Sequence, residues 1–408
     1  MAYKVGELGV GSILGEEEVQ AVARVLESGN TLAYGPCRDK FEKEFAEYCG
    51  VGFAVSATSA TTALQMACQI LHMKEGDEIV GTPQTFRATY VYLGDRGVSI
   101  RFADIDRETL NIDPATIEDK ITPRTKALYI MDYGGNPVDM DPVMEIARKH
   151  NLAVIEDAAH SPGAEYKGRK IGSIADITCF SFHSLKNMTT LGEGGMLTTH
   201  NPVYAERARK LRTMDTVGER KERDSRQIGP YKGYDRPIND HSGVAFTHEW
   251  MQIDEWGSNF RMSEVQAAVG SVQLKKLDAM NDARARVAAR YSEGLSKIEG
   301  IRLSRVAPDV RNVWHLYPCF MDSSVIKAGH EEFINYLDDK GIQIIQRFFP
   351  VHLSDYMRYL GHQFGECPVC EKVWFEEQLN LPINPKMSFD QVDYVVESIR
   401  EAVNHFKR

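Results

Sequence analysis

The 408-residue chain has no apolar run close to the length of a membrane span, and Met1-Ala2-Tyr3-Lys4-Val5-Gly6-Glu7 contains no signal-peptide core. It also lacks an excess of positive charge. Forty-eight Lys and Arg against 58 Asp and Glu leave a net charge of -10, which argues against nucleic acid or an anionic membrane as a partner. The 7 cysteines are few, odd in number and scattered through apolar segments, a usage that suits a reducing compartment rather than a disulfide scaffold. One CxxC exists, Cys367-Pro368-Val369-Cys370, but the second Cys or His pair that zinc requires is missing. No metal is expected, and two cysteines at a helix start are the simpler reading. With low-complexity segments absent as well, the expectation is a cytoplasmic enzyme long enough for two domains.

What the chain does carry is concentrated between residues 150 and 195. An apolar run, Leu152-Ala153-Val154-Ile155, delivers Glu156-Asp157-Ala158-Ala159-His160. Further on comes Phe180-Ser181-Phe182-His183-Ser184-Leu185-Lys186, followed by Thr189-Thr190-Leu191-Gly192-Glu193-Gly194-Gly195. An acid at the mouth of one strand and a lysine at the next strand-to-loop junction suit pyridoxal phosphate chemistry. The amine forms a Schiff base, and the carboxylate keeps the pyridine nitrogen protonated.

The wider pattern agrees. Short β-rich runs (Gly52–Val55, Glu78–Gly81, Ser99–Ala103, Ala127–Met131, Leu152–Ile155, Ile177–Phe182) alternate with helix-like stretches (Thr61–Leu71, Arg87–Asp95, Pro114–Lys120, Pro142–His150). Such alternation predicts βαβ units, a mostly parallel sheet and ligands at the carboxyl ends of its strands. A long helix capped by Ser263 runs towards Leu295, strands are predicted at Ile342–Ile345 and Leu379–Leu381, and a capped helix starts at Ser388. The expected fold is α/β: a large domain over 1–250 and a smaller α/β C-terminal domain over 251–408. Within the first, 215–256 loses its periodicity and reads as an active-site loop.

The chain resembles the DegT/StrS-type sugar aminotransferases, fold-type I pyridoxal phosphate enzymes. The likeness rests on Ile13-Leu14-Gly15-Glu16-Glu17-Glu18, on Thr82-Pro83-Gln84-Thr85-Phe86-Arg87-Ala88-Thr89 and on the two stretches around Asp157 and Lys186. Gly257-Ser258-Asn259-Phe260-Arg261-Met262 and Leu379-Asn380-Leu381-Pro382 complete it. The order and spacing together carry the resemblance over nearly the whole chain.

The resemblance implies roles residue by residue. Lys186 would hold the cofactor and act as the base of transamination; relatives that are dehydratases carry histidine there. Asp157 would pair with the pyridinium nitrogen, and strand alternation points its rival Glu156 the other way. His160 would lie near the ring's phenolic oxygen, with a satisfied core histidine as the alternative. Phe86 would stack on the ring, or simply pack in the core. Ser59, Ala60, Thr61 and Ser181 would hold the phosphate at a helix N-terminus; the family usually has glycine where Ala60 stands. Asn259 would reach the phosphate of a neighbouring subunit, making a homodimer with shared active sites, unless it is only a turn residue. Arg261, His315, Arg347 and His352 are candidates for substrate contact, and Arg347 occupies a place where many relatives have histidine. An arginine there could read a phosphate or carboxylate.

The implied reaction is ping-pong transfer of an amino group from glutamate or glutamine to the ketone of a nucleotide-linked keto-sugar. A keto-sugar phosphate or a cyclitol ketone of antibiotic-type biosynthesis is the alternative acceptor. A sugar dehydratase or a non-enzymatic regulator on the same fold are rivals of another class; Lys186 speaks against the first and the completeness of the site against the second.

Overall fold

Strands that are apolar along their whole length are strands covered on both faces, and this requirement organises the molecule. The computed structural model describes residues 3–214 and 256–407; of the 215–256 segment only Trp256 is among them. In chain order the first part holds helices α1 (Glu16–Glu27) and α2 (Pro36–Cys49), strand β1 (Phe53–Ala57) and helix α3 (Ala60–Ile70). Next come β2 (Glu78–Gly81), α4 (Val91–Asp95), β3 (Ser99–Phe102), β4 (Thr125–Met131), α5 (Met140–His150) and β5 (Ala153–Asp157). The short strands β6 (Glu165–Tyr166) and β7 (Arg169–Lys170) lead to β8 (Ile177–Ser181), β9 (Gly195–Thr199) and α6 (Pro202–Arg212). The second part holds α7 (Glu264–Leu295), β10 (Ile301–Leu303), β11 (Val310–Arg311), β12 (Tyr317–Met321) and α8 (His330–Asp339). It ends with α9 (Asp355–Tyr359), α10 (Pro368–Lys372), β13 (Gln378–Leu381) and α11 (Phe389–Phe406).

Seven strands form one sheet in the order β1-β9-β8-β5-β4-β2-β3. Six run parallel; β9 alone is reversed, pairing antiparallel with both β1 and β8. The mostly parallel sheet therefore matches the alternation in the sequence. One face packs on α3, with Leu64, Ala67 and Leu197 in its core, and the other on α2 and α5, with Phe41, Phe45, Met140 and Val143 buried there. A second, antiparallel sheet, β10-β12-β13, with α8 and α11, surrounds a core of its own that includes Phe333, Val395 and Ile399.

Helix α7 joins the two. Its first half buries Ala267, Leu274, Leu277 and Met280 in the core of the large sheet; its second buries Val287, Ala288, Tyr291 and Leu295 in the other. Ser263 caps it as expected, its Oγ accepting from the Gln266 N–H at 3.3 Å. Two local expectations fail. Ile342–Ile345 forms no strand, only a parallel bridge from Ile342 to Val5, because the N-terminal segment runs beside it for a residue or two before diverging. Pro114–Lys120 is two single 3-10 turns rather than a helix, the first capped by Asp113, whose side chain accepts from the Ala115 N–H.

Candidate active site

The carboxyl ends of β5 and β8 place the acid and the lysine. Asp157, the last residue of β5, is buried; its Oδ2 accepts from the Thr89 hydroxyl at 2.7 Å and its Oδ1 from the Ala159 N–H at 3.1 Å. Burial pushes its carboxyl above the ordinary value, against those hydrogen bonds and the nearby Lys186 charge. Glu156 points to the opposite face, where its Oε2 accepts from Thr178 Oγ1 at 2.8 Å. Beyond β8 a turn brings Lys186 back, its N–H donating to the His183 carbonyl at 2.9 Å. Burial lowers the Lys186 amine to about 8, and the Arg347 guanidinium pushes the same way, while Asp157 and Glu7 oppose it. Among the described residues neither Asp157 nor Lys186 forms an ion pair, although each feels the other's charge. Opposite charges held near each other without touching suit a flat cationic ring between them better than a structural salt bridge.

A second cluster adjoins them through Gly195. This residue pairs in register with Ala57 on β1 and with Ser181 on β8, and a Cβ on it would fall 2.3 Å from the Ser59 carbonyl group. Only glycine lets the start of α3 come so close. Ser59 caps that helix, its Oγ accepting from the Thr62 N–H at 3.2 Å. Ala60 and Thr61 follow in the first turn, where amides lack intrahelical acceptors. Ser181 is buried alongside. These groups fit an anion such as a phosphate. Asn259 is exposed on a segment stitched beside the cradle: it bridges Thr213, and the Thr58 N–H donates to the Phe260 carbonyl at 3.0 Å. Arg261 is half-buried and makes no hydrogen bond or ion pair with a described residue.

Rings and an arginine form the rest. His160 accepts at Nδ1 from the Gly134 N–H at 3.3 Å, lies 4.2 Å from the His315 ring, and stacks at 5.6 Å on Phe348. Burial holds both imidazoles well below their ordinary pKa, so they are neutral. His315 Nδ1 is 3.2 Å from Asn187 Oδ1. Phe86, 47% exposed, lies 5.7 Å from Phe348. Arg347 pairs with Glu7 at 2.6 Å, and its carbonyl accepts from the Tyr133 hydroxyl and from Gln378 Nε2.

The structure thus brings together Asp157, Lys186, His160, His315, Phe86 and Arg347, with Ser59, Ala60, Thr61 and Ser181 gathered around Gly195. It does not bring His352 to them. That ring is fully buried against Phe102 and Glu371, whose Oε1 is 2.8 Å from its Nε2. Sequence reasoning missed Thr89, Glu7, Phe348 and Asn187. Thr89 closes the element that begins at Thr82, three residues past Phe86, so a single helical turn signalled it; Glu7 lies in a stretch without pattern.

Residues 12–400 match the DegT/DnrJ/EryC1/StrS aminotransferase family. The chain belongs to that family. It is 38% identical to the spore coat polysaccharide biosynthesis protein SpsC of Bacillus subtilis, over 96% of this chain and 95% of that one. It is 35% identical to the dTDP-3-amino-3,4,6-trideoxy-alpha-D-glucose transaminase of Streptomyces venezuelae, over 93% and 90% of the two chains. The crystal structure of S. venezuelae DesV superposes with a TM-score of 0.81 at 34% identity, covering 95% of this chain and 94% of that one. As a member of the DegT/DnrJ/EryC1/StrS family the protein is an enzyme, a sugar aminotransferase. No helix among its described residues is long and apolar enough to cross a membrane.

Proposed function

We propose that the protein uses pyridoxal 5'-phosphate to move an amino group from glutamate, or glutamine, to the ketone of a nucleotide-linked keto-sugar, in two half-reactions. The observation that carries this reading is the Asp157–Lys186 relationship, a buried carboxylate and a half-buried lysine that feel each other's charge without an ion pair. The cofactor, when bound, supplies the electron sink that makes a carbon–hydrogen bond next to nitrogen acidic.

This chain's own residues do the rest. Asp157, oriented by Thr89 and the Ala159 amide, holds the proton on the ring nitrogen. Lys186, with an amine near pKa 8, takes a proton from the amino donor's Cα in the first half-reaction and, in the second, delivers one to the sugar's former ketone carbon, which receives the nitrogen. His160 and Phe86 would bound the ring, and His160, neutral and with its Nδ1 accepting from the Gly134 N–H, offers its Nε2–H as a donor without adding charge. Ser59, Ala60, Thr61 and Ser181 hold the phosphate, and Asn259, exposed here, reaches the phosphate of a second copy in a homodimer. The division into a cofactor domain over 1–250 and a smaller one over 251–408 belongs to the same reading.

The test is an absorbance spectrum of the protein with pyridoxal phosphate, before and after glutamate. Loss of the visible band, and its restoration by a nucleotide-linked keto-sugar, is the expected result. A band that ignores glutamate and glutamine alike would overturn the donor assignment.

A further inference from the structure

The proposed reaction asks one pocket to take, in turn, an amino acid, which bears two carboxylates if it is glutamate, and a sugar ketone bearing none at its reacting end. Apart from Lys186, Arg347 is the cation whose charge reaches both Lys186 and His160. It is already engaged: Nη2 contacts both oxygens of Glu7, at 2.6 and 2.8 Å. Its Nε and Nη1 make no hydrogen bond with any described residue. A guanidinium offers five donors in a planar fork suited to two-point contact with a carboxylate, and Glu7 uses one nitrogen of it.

Glu7 is delivered by the N-terminal segment, which is fixed beside the segment that carries Arg347. The Lys4 and Val5 amides donate to the Gly341 carbonyl at 2.8 and 3.1 Å, and the Glu7 amide donates to Gln343 Oε1 at 3.0 Å. The arginine is fixed at its backbone, where its carbonyl accepts from Tyr133 and Gln378. So the two main chains are anchored while the two side chains, 18% and 31% exposed, meet at the edge of the site. A partly exposed pair of this kind contributes little net stability, and exchanging one carboxylate for another leaves the charge balance unchanged.

We propose that Glu7 is a placeholder for the donor: a carboxylate of the amino-acid substrate displaces it from Arg347, and Glu7 returns when the sugar ketone occupies the pocket. The exchange is non-covalent, and no proton or electron moves with it. It rests on the reading above and adds to it how a single site alternates between a substrate that brings a carboxylate to the reacting end and one that does not.

Glutarate tests this, because it has both carboxylates of glutamate and no amine to react. Its dissociation constant is measured calorimetrically on the cofactor-loaded protein, beside the half-saturating concentrations of glutamate and of keto-sugar. Arg347→Gln is expected to weaken glutarate and to raise the glutamate requirement by about tenfold or more, with the keto-sugar requirement little changed. Glu7→Gln is expected to tighten glutarate by about twofold or more, since the competitor is gone. Arg347→Lys, which keeps the charge but not the fork, serves if the glutamine variant fails to fold, and should fall between. Unchanged glutarate affinity in Arg347→Gln would overturn the proposal. So would a Glu7→Gln variant that weakens glutarate as much as Arg347→Gln does, because Glu7 would then orient the guanidinium rather than yield it. If the wild type reacts with neither glutamate nor glutamine, the proposed donor falls, while the glutarate constants still decide the exchange.

Discussion

Thr89 and Asp157, 68 positions apart in the chain, are joined by a 2.7 Å hydrogen bond in the interior. The hydroxyl donates to Oδ2, so it fixes the carboxylate's rotation and favours its charged form against the cost of burial. Thr89 is itself held, 2.7 Å from the Thr85 hydroxyl. Thr89→Val keeps the shape and removes the donor. A hydrogen bond to a charged group is worth about 1.5–3 kcal/mol, so cofactor retention should weaken by roughly ten- to a hundredfold. Equilibrium dialysis against pyridoxal phosphate reads this directly, and retention within twofold of wild type would show that Asp157 needs no such support.

Lys186 gives a pH prediction. Its amine is lowered to about 8, first by burial. The reactive, neutral form therefore grows as pH rises through 8 rather than through the usual lysine value near 10.4. The rate at which cofactor-free protein captures pyridoxal phosphate should follow that curve. Arg347→Gln removes a neighbouring positive charge and should move the midpoint up; Lys186→Ala should abolish capture and lower turnover by about a thousandfold or more.

Asp132 and Glu156 form a different kind of pair. Both are buried behind the site, where Asp132 accepts from Ser161 Oγ at 2.6 Å and from the Val138 amide at 2.9 Å. Burial pushes Asp132 up to about 7, and Glu156 well up too, with Asp132's charge adding to its burial. An acid whose folded pKa is raised contributes stability that is fully present below its unfolded value near 4 and lost as pH climbs through about 7. Glu156→Gln removes one of the two acids whose ionisation burial opposes. Its melting temperature should fall less between pH 5 and pH 8 than that of the wild type. Parallel dependence of melting temperature on pH in the two proteins would show that Glu156 takes no part in this titration.

Gly195 admits no side chain. A Cβ there would meet the Ser59 carbonyl carbon and oxygen at 2.3 Å and the Ala60 nitrogen at 2.7 Å, all backbone atoms that cannot rotate away. Gly195→Ala should cost about 1–3 kcal/mol of stability and push the start of α3 off its position. Phosphate affinity, measured with inorganic phosphate on cofactor-free protein, should fall with it, whereas overpacking elsewhere in the core would lower stability alone.

The sequence made most of the large sheet legible because most of its strands are apolar or β-branched runs: Glu78–Gly81 has the predicted bounds, and the other predicted strands begin and end within two residues of theirs. Asp157 and Lys186 were legible for the same reason, each following such a run. Helix α2 was not, because in Pro36–Cys49 only Phe41 and Phe45 are large apolar residues that become fully buried, amid charges. Strand β9 hides behind the glycines that precede it. His352 misled because a histidine's partner, here Glu371, is supplied by a distant stretch that no local pattern announces. Glu7 and Phe348 were invisible for the converse reason: what they do depends on neighbours far away in the chain.

Helix α7 is about 48 Å long for its 32 residues, and it is a wall of both cores. At its middle, Asn281 donates to the Pro162 carbonyl at 3.0 Å, and Arg284 donates to the carbonyls of Gly11, Trp314 and Ile383. Neither core can come apart without stripping half of this helix, and the frayed half would take the other's support with it. Heat should therefore melt the described body in a single cooperative step, with the active site lost at the same temperature as the fold rather than before it.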